Sequence, residues 1–92
     1  MDSAQQTGMT PGIVTFVGAG PGDPDLMTIK GRNAIEQAAL VLYAGSLVPR
    51  EVVACAAPNA MVVDSAPLNL EQCHALVRAT ALEGRSVARV HT

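Results

Sequence analysis

Short apolar runs alternate with stretches of helical periodicity along this chain of 92 residues. Ile13 to Val17 is almost continuously apolar and bounded by glycines, as a strand buried on both faces requires. A glycine-rich turn follows it. Thr28 then serves as N-cap of a helix predicted to reach about Ala39, with Ile29, Ile35 and Ala38 or Ala39 on its inner side. Gly31 weakens that helix by about 1 kcal/mol relative to Ala, which points to a close backbone approach at this position. Leu40 to Tyr43 forms the second strand. Pro49 opens a short helix at its first position, running to about Ala56 and stopped by Pro58. Met61 to Val63 is a third, short strand. Leu68 to Cys73 carries a complete helix start, in which Asn69 caps, Gln72 bonds back, and Leu68 packs against Cys73 as a staple. The helix continues through Leu70, Cys73, Leu76, Val77 and Ala81, and Gly84 ends it in the left-handed conformation. Ser86 to His91 is the fourth strand.

This succession implies an α/β fold, a mostly parallel sheet of about four strands with flanking helices. Residues 1–11 read as a polar, disordered leader and 12–92 as one α/β domain. The length permits a single small domain with a modest core. Hydrophobic residues make up 49% of the chain, yet Phe16 and Tyr43 are its aromatic residues, so Val, Leu, Ile and Ala must build that core. The net charge is −2 and the basic residues are scattered, which argues against a nucleic-acid partner. No apolar run approaches a membrane span, and the leader lacks the basic and apolar regions of a secretory signal. A cytoplasmic protein without a membrane partner is expected. Cys55 and Cys73 lie far apart, with no CxxC and no His at ligand spacing, so they read as buried thiols and no metal site is expected.

The turn after the first strand carries the most chemistry. Such a loop, between an apolar strand and a helix, is where parallel α/β sheets contact ligands. Its details do not suit a dinucleotide. The glycines Gly18, Gly20 and Gly22 run G-x-G-x-G, and Pro21 stands where a phosphate cradle needs an N–H donor. Asp23 and Asp25 place carboxylates where a pyrophosphate would otherwise bind. No acidic residue ends the second strand to hold a ribose hydroxyl.

The segment Val17 to Gly31 resembles, without a gap, the N-terminal signature of the tetrapyrrole methylases. That signature is an apolar residue, G-x-G-P-G, three free positions, two apolar residues, Thr or Ser, an apolar residue, a basic residue, and Gly or Ala. A second stretch, Tyr43-Ala44-Gly45-Ser46-Leu47-Val48-Pro49, resembles the branch of the family that methylates carbon 11 of precorrin-4 or its cobalt form. The resemblance runs from about Ile13 to Thr92 and implies methyl transfer from S-adenosylmethionine to a tetrapyrrole ring carbon in cobalamin biosynthesis. It further implies a five-stranded domain in the order 3-2-4-1-5, a second α/β domain beyond it, and a homodimer for the full enzyme. On that reading the chain is a truncated enzyme, expected to bind the cofactor weakly, to methylate nothing alone, and to be sticky along the open edge of its first strand. Two alternatives stand beside it: a methylase of the same superfamily with another acceptor, and a non-catalytic domain that binds a partner through its open sheet edge.

The resemblance places a cofactor contact at Pro21, flanked by Gly20 and Gly22. On residue type alone these glycines either let a ligand approach the backbone or merely permit the turn. Asp23 and Asp25 suit a sulfonium cation, and equally cap free N–H groups at a helix start. Tyr43 and Ser46, at the end of the second strand, join Asp23 as candidate substrate contacts, although Ser46 could simply close a turn. Lys30 reads most economically as a solvated side chain, although a ring bearing carboxylates needs cationic partners and Lys30 and Arg32 lie near the loop. Some relatives acting on uroporphyrinogen have an acidic residue where this chain has Ala44, which argues against that substrate and leaves the catalytic acid or base unknown. His91, at the end of the fourth strand, either lines the cofactor site or is inert. His74 reads as a surface residue, and Asp64 and Ser65 as a turn.

Overall fold

The computed structural model describes residues 12–20 and 23–91. Residues 1–11, where a disordered leader is expected, and Pro21, Gly22 and Thr92 lie outside the described residues. Four strands form one parallel sheet: β1 (Val14–Gly18), β2 (Leu40–Tyr43), β3 (Met61–Asp64) and β4 (Val87–His91), in the spatial order β1-β4-β2-β3. The anticipated order of these four is the one observed. The register sets Phe16 beside Arg89 and Leu42 beside both Arg89 and Val63, with Val17, Val90, Tyr43 and Asp64 in the next row.

Side chains alternate across a pleated strand, so these rows divide between two faces. Val17, Val41, Tyr43, Ala88 and Val90 share a face and form the main core with Ile35, Ala38, Val48, Val52 and Val53. Helix α1 (Ile29–Gln37) packs there against β1 and β4. Leu40, Leu42 and Val87 point to the other face and are also buried. Helix α2 (Leu70–Leu82), whose buried residue is Cys73, packs against the two central strands, β2 and β4, on that face. Phe16 stands on the same face and stays 65% exposed, because α2 does not make comparable contact with β1.

Local signals produce these elements. Thr28 Oγ1 accepts from Gly31 N at 3.0 Å, so the cap sits where its residue type placed it. A Cβ on Gly31 would lie 2.9 Å from Val17 Cγ1, so glycine allows α1 to close on β1. Asn69 Oδ1 accepts from Gln72 N at 2.8 Å and Gln72 Oε1 from Asn69 N at 2.9 Å, a complete capping box. Gly84 adopts φ 76° after α2, as its position anticipated.

Some expectations change. Ile29 is 80% exposed rather than inward, because residues advance about 100° each around a helix and Ile29 lies well off the stripe of Gly31 and Ile35. Leu70, at the first position of α2, is exposed, and the helix runs through it as expected. The segment after Pro49 is a 3-10 turn over Arg50–Val53, with Pro49 as its N-cap and Val52 and Val53 anchored in the core. β1 begins at Val14, although the Ile13 carbonyl still accepts from Val87 N at 2.9 Å.

Candidate functional site

In parallel sheets ligands gather at the C-terminal ends of the strands. Here the four ends stand in a row, with Gly18 leading into Ala19 and Gly20, then His91, then Ala44 after β2, then Ser65 after β3. Ala19 N donates to His91 O at 2.6 Å and Ser65 N to Tyr43 O at 2.8 Å, so the ladder continues one step past the strands at both sides of the row.

A groove crosses the sheet face beneath this rim. Phe16, Leu42, Ala44, Ser65, Arg89 and His91 line it. Its volume is about 190 Å³, below the roughly 300 Å³ at which ligand pockets begin, so the described residues form one wall of a ligand site rather than a closed pocket. The Arg89 guanidinium lies 5.8 Å from the centre of the Phe16 ring, and the His91 ring centroid is 6.5 Å from the same ring. A cation thus rests on an apolar platform beside the rim. Phe16, Arg89 and Ser65 were not singled out in the sequence as site residues. They come into view only when the register puts neighbouring strands side by side.

The structure brings part of the anticipated set together. Gly20 is exposed at φ 60°, with nothing among the described residues within 4 Å of the position a Cβ would take, and it lies directly after the residue bonded to His91. Pro21 and Gly22 lie outside the described residues. Asp23 is exposed, and its Oδ1 accepts from Asp25 N at 2.9 Å, capping the 3-10 turn Pro24–Leu26. Tyr43 points into the core on the α1 face and is 7% exposed, away from the groove. Ser46 is exposed in a turn whose closing bonds run from Leu47 N and Val48 N to Ala44 O. Arg32 pairs with Glu36 at 3.2 Å along α1, while Lys30 is exposed. His74 is exposed on α2.

Elsewhere, burial pushes the half-buried Cys55 thiol above the range of a free thiol, with the Glu36 carboxylate adding to the rise and Arg32 opposing it. Such a thiol stays protonated and is a poor nucleophile. Among the described residues no cluster of three His, Cys, Asp or Glu side chains could hold a metal ion, and no helix is long and apolar enough to cross a membrane.

Residues 13–92 match the sequence profile of the Tetrapyrrole (Corrin/Porphyrin) Methylases. The chain belongs to that family. It is 46% identical over 79 residues to the cobalt-precorrin-4 C(11)-methyltransferase of Methanocaldococcus jannaschii, covering 86% of this chain and 30% of that protein. It is 48% identical over 79 residues to the precorrin-4 C(11)-methyltransferase of Pseudomonas aeruginosa, covering 86% and 31%. The solved structure of a cobalt precorrin-4 methyltransferase superimposes with a TM-score of 0.81 at 44% identity, covering 86% of this chain and 33% of that one. The uroporphyrin-III C-methyltransferase of Thermus thermophilus gives 0.74 at 36% identity, covering 87% and 34%. This methylase chain therefore spans about a third of the length of the relatives it matches.

Proposed function

We propose that the protein carrying this domain transfers a methyl group from S-adenosylmethionine to carbon 11 of precorrin-4 or its cobalt form, in cobalamin biosynthesis. One observation carries the reading: the unbroken signature from Val17 to Gly31 at the C-terminal end of β1, in a chain 46–48% identical to relatives named for that reaction. A homodimer and a cytoplasmic location belong to the same reading.

The rim residues suit such a cofactor. Open space beside the exposed Gly20 lets ligand atoms approach its backbone, and the Asp23 carboxylate nearby in the chain complements a sulfonium better than a phosphate. When bound, S-adenosylmethionine supplies a methyl group on positively charged sulfur. This chain's residues then bind, orient and exclude water: Gly20 and His91 at the β1–β4 side of the cofactor wall, Ala44 and Ser65 at its β2–β3 side. Displacement at a methyl carbon draws mainly on alignment, so a wall without a strong acid or base is consistent with it. Ala44 presents no carboxylate to an acceptor, which favours precorrin-4 over uroporphyrinogen.

The test incubates the full-length protein with methyl-labelled S-adenosylmethionine and, separately, precorrin-4, its cobalt form and uroporphyrinogen III. Label at carbon 11 of either precorrin-4 form is expected. Label transferred to uroporphyrinogen III alone would refute the acceptor assignment.

A further inference from the structure

One carboxylate outside the signature ties the β2–β3 side of the rim together. Asp64 ends β3, and its Oδ1 accepts from Gly45 N at 2.9 Å and from Ala66 N at 2.8 Å. Gly45 follows Ala44 and Ala66 follows Ser65, the two groove-lining residues at the ends of β2 and β3. A single oxygen therefore holds the N–H next to each of them. It also extends the β2–β3 pairing beyond the strands, one step past the bond from Ser65 N to Tyr43 O. The fit is close: a Cβ on Gly45 would overlap the Asp64 carboxylate. Gly45 has no positive φ, so the carboxylate, and not backbone strain, makes this position need a glycine.

We infer that Asp64 is a positioning residue for the ligand site. By pinning the Ala44–Val48 turn to the end of β3, it sets the spacing of Ala44 and Ser65 and hence the shape of the wall against which the ligand seats. The inference rests on the proposed methyltransferase function, because the row of strand ends is a ligand wall only on that reading. Its role is to hold backbone, not to supply charge. Asparagine, which retains an acceptor oxygen of the same reach, should replace it, and alanine should not.

The test uses the full-length protein, with Asp64→Ala and Asp64→Asn. Hydrogen exchange at the Gly45 and Ala66 amides and calorimetric titration with S-adenosylhomocysteine are measured on each. This probe lacks the sulfonium charge, so a purely electrostatic contribution is muted. In Asp64→Ala both amides should lose protection and affinity should fall roughly tenfold, the scale of residues that act without touching the ligand. Asp64→Asn should restore both. Unchanged Gly45 exchange in Asp64→Ala would overturn the pinning. Unchanged affinity with lost protection would overturn the positioning role, and so would Asp64→Asn binding as weakly as Asp64→Ala. A wild-type protein that binds no S-adenosylhomocysteine would sink the cofactor reading and the positioning role with it, while the exchange data still decide whether Asp64 holds the turn.

Discussion

Replacing Gly45 by alanine sets a small side chain against the Asp64 carboxylate, and the cost can be worked from the bonds at stake. The new Cβ takes the space of the carboxylate, which must swing away and release both N–H groups. Hydrogen bonds to charged acceptors contribute about 1.5–3 kcal/mol when buried and less when exposed. The bond from Gly45 is part-buried and the bond from Ala66 exposed, so the pair together contributes about 2 kcal/mol. Asp64→Ala should therefore destabilise by about 2 kcal/mol. Gly45→Ala should lose the same bonds and regain about 0.5 kcal/mol from a stiffer unfolded chain. The double variant should be no worse than Asp64→Ala, because the clash disappears with the carboxylate. That leaves a coupling of about 2 kcal/mol, within the range for residues in contact. Urea denaturation of the four proteins measures it. In thermal melts each single variant should fall by roughly 10 °C, at about 4–8 °C per kcal/mol for a domain of this size. Additive losses in the double variant, about 3.5 kcal/mol, would refute the assigned contact.

Other consequences are more local. Asn69→Ala removes one arm of the capping box and should lower stability by about 1 kcal/mol, read as a shift in urea midpoint; an unchanged midpoint contradicts the cap. Cys55 has a raised pKa, so between the free-thiol value and its own the folded thiol stays protonated while an unfolded one ionises. Its alkylation rate should rise at higher pH than that of a small free thiol (about 8.5), and stability should fall as pH climbs through that window; a midpoint at or below the free-thiol value would contradict the burial. Phe16→Ser removes an apolar ring that is 65% exposed beside β1, an edge strand among the described residues. It should reduce self-association of the 92-residue chain in sedimentation, and unchanged association would clear that face.

What was legible in the chain follows the range of the forces involved. Thr28, the Asn69–Gln72 box and Gly84 act within a few residues, and each sits where its residue type placed it. The four apolar runs became the four strands within a residue or so of their expected ends. The orientation of side chains across the sheet was harder to read. Tyr43 looked available at a strand end, but the pleat turns it into the core, while Ala44 faces the groove. Ile29, expected on the inner side of α1, faces outward, because apolar character does not register what lies opposite. Least legible was Asp64, which resembles an ordinary turn residue until a bond spanning 19 positions joins it to Gly45. Phe16, Arg89 and Ser65 converge for the same long-range reason.

The central claim is that the C-terminal ends of these strands form the cofactor wall of a methyltransferase. Amide chemical-shift mapping of the full-length protein during titration with S-adenosylhomocysteine tests it most directly. Saturable shifts should concentrate at Ala19, Gly20, Ala44 to Ser46 and His91, leaving the opposite strand ends near Leu40, Met61 and Val87 unmoved. Shifts confined to α2 or to those opposite ends, or no shifts at all, would contradict it.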